Sequence, residues 1–145
     1  EHLPELNKNK RYPRAAQFAL YCTHNAIEQS GLTAHELSKA GTFMGTGMGG
    51  YPESETSYQF FFADNWRKMQ PLTVIRGMAN SIANFIAIAF GLGGPNSTIS
   101  NACISSADAI GTAYHHIAHG NISTAICGGT EAPIWESMMS AWCKL

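Results

Sequence analysis

The sequence predicts a layered α/β fold. Three observations carry that expectation. Short strand-like runs at 41–46, 97–102 and 123–127 alternate with segments whose apolar residues recur every three or four positions. Glycines stand at the ends of the helical segments, at Gly31, Gly91 and Gly120. The 145 residues are 45% hydrophobic and only 13% charged, the latter about half the usual share. A chain of this length is enough for one domain and buries roughly two-thirds of the surface it exposes when unfolded. One so poor in charge is either very well buried or lacks the parts that would cover it.

The elements follow in order. The first dozen residues are polar and read as a loop or extended lead-in, with Lys8, Lys10, Arg11 and Arg14 clustered. Pro13 sits where a first helical turn tolerates proline. Phe18, Cys22, Ala26 and Ile27 then recur at helical spacing up to Gly31. The strand at 41–46 runs into Gly45-Thr46-Gly47-Met48-Gly49-Gly50. Residues 51–68 are polar and aromatic without a clean period, so mostly irregular structure is expected, with a helical turn around 57–62. Met78, Ile82, Phe85, Ile86, Ala89 and Phe90 form a helical face that stops at Gly91. Gly93-Gly94-Pro95-Asn96 is a turn leading to the strand at 97–102. Residues 105–119 are helical, with Ala107, Ile110, Gly111, Tyr114, Ile117 and Ala118 on one face. A strand at 123–127 closes on Gly128-Gly129, and the apolar segment from Ile134 reads as helix.

Charge and motif content exclude several functions. Nine basic and ten acidic residues give a net charge of −1, which favours neither nucleic acid nor an anionic membrane. No apolar run reaches the length of a membrane span. Glu-His-Leu-Pro-Glu at the N-terminus is not a signal peptide. Cys22, Cys103, Cys127 and Cys143 lie far apart, which argues against a disulfide framework or zinc site and for reduced thiols in the cytoplasm. Asn96-Ser97-Thr98 and Asn121-Ile122-Ser123 match the glycosylation pattern by chance. His115 and His119 are four residues apart but have no evident third metal ligand. No metal or organic cofactor is implied.

Gly45, Gly47 and Gly50 satisfy G-x-G-x-x-G after a predicted strand, with Asp64 downstream. A dinucleotide site also needs a helix opening at the last glycine and a second strand before the acidic residue. Pro52-Glu53-Ser54-Glu55 follows instead, and its carboxylates would repel a pyrophosphate. Close approach of the backbone to another element or a ligand is the preferred reading.

Cys103 stands between a predicted strand and the N-terminus of a predicted helix. That position favours a thiolate and offers N–H groups that polarise a carbonyl. Ala102, Ser105, Ser106 and Ala107 leave room for a substrate. The alternative from position alone is a buried core cysteine, which is how Cys22 and Cys127 read.

The segment Gly94-Pro95-Asn96-Ser97-Thr98-Ile99-Ser100-Asn101-Ala102-Cys103-Ile104-Ser105-Ser106-Ala107-Asp108-Ala109-Ile110-Gly111 resembles the active-site segment of elongating β-ketoacyl-acyl-carrier-protein synthases, members of the thiolase superfamily. Residues 45–50 resemble that family's glycine-rich turn, and 75–80 its Asn-Met-Ala-like helix start, with Gly77 in place of the usual asparagine. Residues 90–96 resemble the loop before the nucleophile strand, and Gly128-Gly129-Thr130-Glu131-Ala132 the Gly-Gly-Thr/Ser-Glu-Ala signature. The matches fall in the family's order over most of the chain, from about residue 10 to residue 145.

The resemblance implies a partial thiolase-like fold, layered α-β-α, with residues 1–145 forming part of the N-terminal half. The first strand and the whole C-terminal half, which carries the family's two histidines, a lysine and a second oxyanion donor, are expected to be missing. It implies acyl transfer to Cys103 and then decarboxylative condensation with a malonyl unit, in fatty-acid or type II polyketide biosynthesis. The Cys103 N–H would serve the oxyanion. Met48 falls beside the family's acyl pocket, and Ile104 is larger than the residue common after the nucleophile. His115, His116 and His119 lie roughly 18–24 Å along the helix from Cys103, too far to replace the missing histidines.

Lys10, Arg11, Arg67 and Lys68 resemble the family's basic patch for an acidic carrier protein that bears the acyl and malonyl thioesters. The alternative is ordinary solvated charge. The family dimerises through the sheet edge beside the nucleophile, here 97–101, as a homodimer or a ketosynthase heterodimer. Two rival functions remain at this point. One is a non-catalytic, chain-length-factor-like partner or inactive fragment, which retention of Cys103 disfavours. The other is a coenzyme-A-dependent member of the superfamily, which the Gly-Gly-Thr-Glu-Ala and Gly-Pro-Asn matches disfavour.

Overall fold

The computed structural model describes residues 12–145. Its helices are α1 (Arg14–Ser30), α2 (Ala34–Leu37), α3 (Tyr51–Phe62), α4 (Thr73–Gly77), α5 (Ser81–Phe90), α6 (Ser105–Ala118) and α7 (Glu136–Trp142). Its strands are β1 (Gly41–Gly45), β2 (Asn96–Ile99) and β3 (Ala125–Gly129). The strands form one sheet in the order β2-β1-β3, with both pairings parallel. Thr42 lies opposite Asn96 and Ile126, and Gly45 opposite Ile99 and Gly129. Parallel neighbours require crossovers. The segment bearing α3, α4 and α5 makes the first, and α6 makes the second.

Alternation along β1 divides the core. Ala40 and Met44 join Ala15, Ala16, Ala19, Leu20, Ile82, Ala83, Ile86 and Leu92 under α1 and α5. Phe43 points the other way, onto Ala109 and Ala113 of α6. β1 is buried along its whole length. Burying one Leu or Ile contributes roughly 1.5–3 kcal/mol, so the first cluster is the stronger.

The helix ends follow the sequence signals. Gln17 N–H donates to Pro13 O at 3.0 Å, and Gly31 and Gly91 take left-handed φ of 67° and 65°. Gly120 does the same after α6, with φ 73°.

Several expectations need correction. Residues 51–62 are helical, not irregular. Pro52 lies in the first turn, where it has no N–H to lose. The period is hidden because α3 packs through small side chains: Pro52 and Ser57 are buried while Tyr58, Phe61 and Phe62 are exposed. Close approach explains the glycines opposite it. A Cβ on Gly77 would lie 1.9 Å from Ser54 Oγ, and one on Gly50 would lie 1.7 Å from Arg76 O. Ser57 Oγ and Thr73 Oγ1 share a hydrogen bond of 2.5 Å, and Arg76 pairs with Glu53 at 2.6 Å. That network forms α4, which the sequence reading did not include. The helix expected to begin near residue 78 begins at Ser81, directly after Asn80.

The strands are offset as well. β2 ends at Ile99 rather than residue 102, and β3 runs through Gly128-Gly129 instead of stopping before them. In α6 the buried residues are Ser105, Ala109 and Ala113, while Ile110, Tyr114 and Ile117 are exposed. The larger apolar side chains of that face therefore point away from the sheet. Cys22 and Cys127, read as core, are exposed in this chain. Among the described residues, no helix is long and apolar enough to cross a membrane.

Candidate active site

The site lies at the carboxyl ends of the three parallel strands, where open α/β sheets place their ligands. β2 ends at Ile99 and the chain turns sharply through Ser100–Ile104 into α6. Ala102 at the bend has φ 47°, one of two non-glycine residues in the left-handed region among the described residues. Ser105 locks the bend: its hydroxyl accepts from Asn101 N–H at 2.7 Å and donates to Ala102 O at 2.7 Å. Ile104 N–H donates to Asn101 O at 3.2 Å, and Asn101 Nδ2 donates to Asp108 Oδ2 at 2.8 Å. Cys103 is thereby presented, exposed, two residues before the first turn of a 14-residue helix.

The bend sits tight against β1. A Cβ on Gly45 would lie 2.2 Å from Ser105 O, so only glycine lets the strand end reach the base of α6. Gly129 on β3 meets Ser106 in the same way, at 2.6 Å. Two of the glycines that frame the site are thus there for packing.

A cleft of about 490 Å³ opens in front of Cys103, with Met48, Ser106, Glu131, Pro133 and Trp142 among its walls. Met48 is half-buried there. Ile104 is 52% exposed and is not part of the wall. Glu131 and Trp142 were missed by sequence reasoning. The Gly-Gly-Thr-Glu-Ala motif pointed to the first, and nothing local pointed to the second.

Glu131 also settles what the glycine loop holds. Its carboxylate accepts from Gly47 N–H at 2.6 Å and Met48 N–H at 3.2 Å. The helix required of a nucleotide loop does open after Gly50, contrary to expectation, but the loop amides are occupied by a carboxylate of the same chain. Asp64 has φ 54° in a bend and is followed by a 3₁₀ turn at Trp66–Lys68, not preceded by a second strand.

The other candidates are separate from this cleft. Arg67 and Lys68 are exposed on the 3₁₀ turn, with the Arg67 guanidinium 5.3 Å from the Trp66 ring centroid. Lys10 and Arg11 lie outside the described residues. At the far end of α6, His116 packs on Phe43 at 4.9 Å between ring centroids. His119 Nδ1 lies 2.7 Å from His115 O. Among the described residues, no three His, Cys, Asp or Glu side chains gather as metal ligands. Burial raises the Cys127 thiol pKa above its ordinary value, even though the residue is open on one side.

A small parallel sheet with a bend feeding a covering helix matches part of a thiolase-like layered α/β fold. The chain belongs to the β-ketoacyl synthase family: the family's N-terminal domain matches residues 5–145. It is 27% identical over 146 residues to nodulation protein E of Rhizobium meliloti, a match covering 97% of this chain and 36% of that protein. It is 34% identical over 117 residues to 3-oxoacyl-[acyl-carrier-protein] synthase 2 of Coxiella burnetii, covering 79% of this chain and 28% of the other. Among solved structures it resembles a type II polyketide ketosynthase described in complex with its acyl-carrier protein and bound to the hexaketide. That likeness has a TM-score of 0.83 at 17% identity, over 90% of this chain and 38% of the other. The chain therefore spans about a third of the length of these relatives.

Proposed function

We propose that the whole protein is a carbon–carbon-bond-forming acyltransferase that elongates acyl chains in fatty-acid or type II polyketide biosynthesis, with Cys103 as its nucleophile. The observation that carries this reading is the bend at Ala102, which sets Cys103 at the head of α6 in front of the cleft. The Cys103 thiolate attacks the carbonyl carbon of an acyl thioester. The bond from that carbon to the carrier sulfur breaks, and the carrier leaves as a thiolate that takes up a proton from solvent. The N–H of Cys103, at the positive end of α6, stabilises the oxyanion formed on the way. A malonyl thioester then loses carbon dioxide, and the electron pair of the broken bond attacks the acyl carbonyl. The bond to Cys103 sulfur breaks, releasing a β-ketoacyl thioester and restoring the thiolate. Met48 lines the acyl side of the cleft.

The partner in this reading is an acidic carrier protein, steered by Arg67 and Lys68 together with Lys10 and Arg11. β2 pairs with β1 on one side only among the described residues, which supports its open edge as a dimer strand. A cytoplasmic location accords with four free cysteines. Residues 1–145 are proposed to be part of the N-terminal half of the enzyme.

Mass spectrometry of the full-length protein after exposure to an acyl thioester or a cerulenin-like epoxide tests the reading. The adduct is expected on Cys103 and absent from Cys103→Ala. An adduct on Cys22 or Cys127 with Cys103 untouched overturns it.

A further inference from the structure

Glu131 does more than cap a loop. Thr130 fixes its backbone twice: the N–H donates to Gly45 O at 3.1 Å, and the hydroxyl donates to Ala15 O at 2.9 Å. From that anchor the carboxylate reaches across to three consecutive residues of the glycine loop. Oε2 accepts from Gly47 N–H at 2.6 Å and Met48 N–H at 3.2 Å. Oε1 accepts from Met48 N–H and the Thr46 hydroxyl, both at 3.3 Å. Thr46 Oγ1 in turn accepts from Gly49 N–H at 2.9 Å. A Cβ on Gly47 would come within 3.1 Å of Oε2, so the carboxylate lies close against that residue.

Three successive amides therefore converge on one side chain and its hydroxyl relay. Hydrogen bonds to an ionised acceptor are the stronger kind, and their geometry fixes the donors. The fixed residues are those that bring Met48 to the wall of the Cys103 cleft. Glu131 and Pro133 also line a second cleft, of about 320 Å³, beside Pro13, Phe18 and Trp135. The side chain thus lines both spaces.

We infer that Glu131 is a positioning residue that acts through Met48 to set which acyl chains the Cys103 cleft admits. This rests on the acyl-transfer reading above. The structural alternative is that the carboxylate stabilises the loop and has no effect on selectivity.

The experiment compares wild type, Glu131→Ala and Glu131→Gln, each with Met48 and with Met48→Ala, in the full-length protein. The probes are acetyl, hexanoyl and dodecanoyl carrier-protein thioesters, and the readout is kcat/KM for acylation of Cys103. Glu131→Ala is expected to change the long-to-short selectivity ratio about tenfold. Glu131→Gln, which keeps an acceptor oxygen, should change it about threefold. In the Met48→Ala background both changes should fall to about unity, because the side chain being positioned is gone. Equal loss on every chain length, or a selectivity change that persists without Met48, overturns the inference. If Glu131→Ala does not accumulate folded, the isosteric Glu131→Gln decides: an unchanged ratio overturns the inference. A wild-type protein that never acylates Cys103 refutes the function reading and this inference with it. Acylation with a uniform loss refutes this inference alone.

Discussion

α5 and α6 lie on opposite faces of the same sheet, and they are covered in opposite ways. α5 turns Ile82 and Ile86 inward, where α1 closes over them with Ala15, Ala16, Ala19 and Leu20. α6 turns Ser105, Ala109 and Ala113 inward and leaves Ile110, Tyr114 and Ile117, its largest apolar side chains, between 42% and 66% exposed. One layer is a finished core. The other is a contact made by small residues, which lets the helix come close enough for its head to present Cys103. Its outer stripe is apolar surface of the kind that marks an interface.

The largest expected effect separates the two layers directly. Ile86→Ala should cost about 2–5 kcal/mol, because the buried side chain leaves a cavity. Ile110→Ala should stay within about 0.5 kcal/mol in the 145-residue chain, as exposed positions do. Urea unfolding of both variants checks this. A loss at Ile110 as large as that at Ile86 would mean the outer stripe is buried in solution, and sedimentation of the same sample would then reveal self-association.

Two glycines sharpen the comparison at the next scale. Gly45→Ala would drive a Cβ into the Ser105 backbone at 2.2 Å. It should cost about 1–3 kcal/mol as overpacking and displace the bend that carries Cys103. Gly111 lies inside α6, and outside the helix's own turn nothing stands within 4 Å of its added Cβ. Gly111→Ala should therefore stabilise the chain by about 0.4–1 kcal/mol. Thermal melts give both signs. Stabilisation by Gly45→Ala would refute the tight seating of α6 on β1.

The same contrast explains what the sequence made legible. α5 was legible because its inward residues are large and periodic, and α1 because Pro13 and Gly31 frame it. α6 was legible as a helix, but which face packs was not: the residues turned inward are the small Ser105, Ala109 and Ala113, while Ile110, Tyr114 and Ile117 are exposed. α3 was lost for the same reason: it packs by Pro52 and Ser57, which carry no hydrophobic period. The position of Cys103 between a strand and a helix was legible from the flanking patterns. Glu131 was not given a role because its partners are backbone amides more than 80 residues away, and Trp142 enters the cleft from an element with no local signal for it.

The smallest expected effect concerns α2, which has no buried residue at all. Its signal is a capping box: Thr33 N–H and Thr33 Oγ1 donate to Glu36 Oε2 at 2.8 and 2.7 Å, and Glu36 N–H donates back to Thr33 Oγ1 at 3.3 Å. The Thr33 hydroxyl, then its N–H, holds the Glu36 carboxyl below the usual glutamate range, with His35 adding a smaller pull and burial opposing it. A carboxyl whose folded pKa is depressed contributes stability above the unfolded pKa and loses it as pH falls through the folded value. α2 should therefore fray on acidification while α5, whose packing involves no group that titrates in the acid range, stays intact. An NMR titration of the Glu36 side chain checks this. Its midpoint should lie below that of an unstructured glutamate and rise in Thr33→Val, which removes the hydroxyl and keeps the backbone donor. A midpoint unmoved by Thr33→Val would assign the shift to the remaining backbone donor and His35, and the capping hydroxyl would have no part in it.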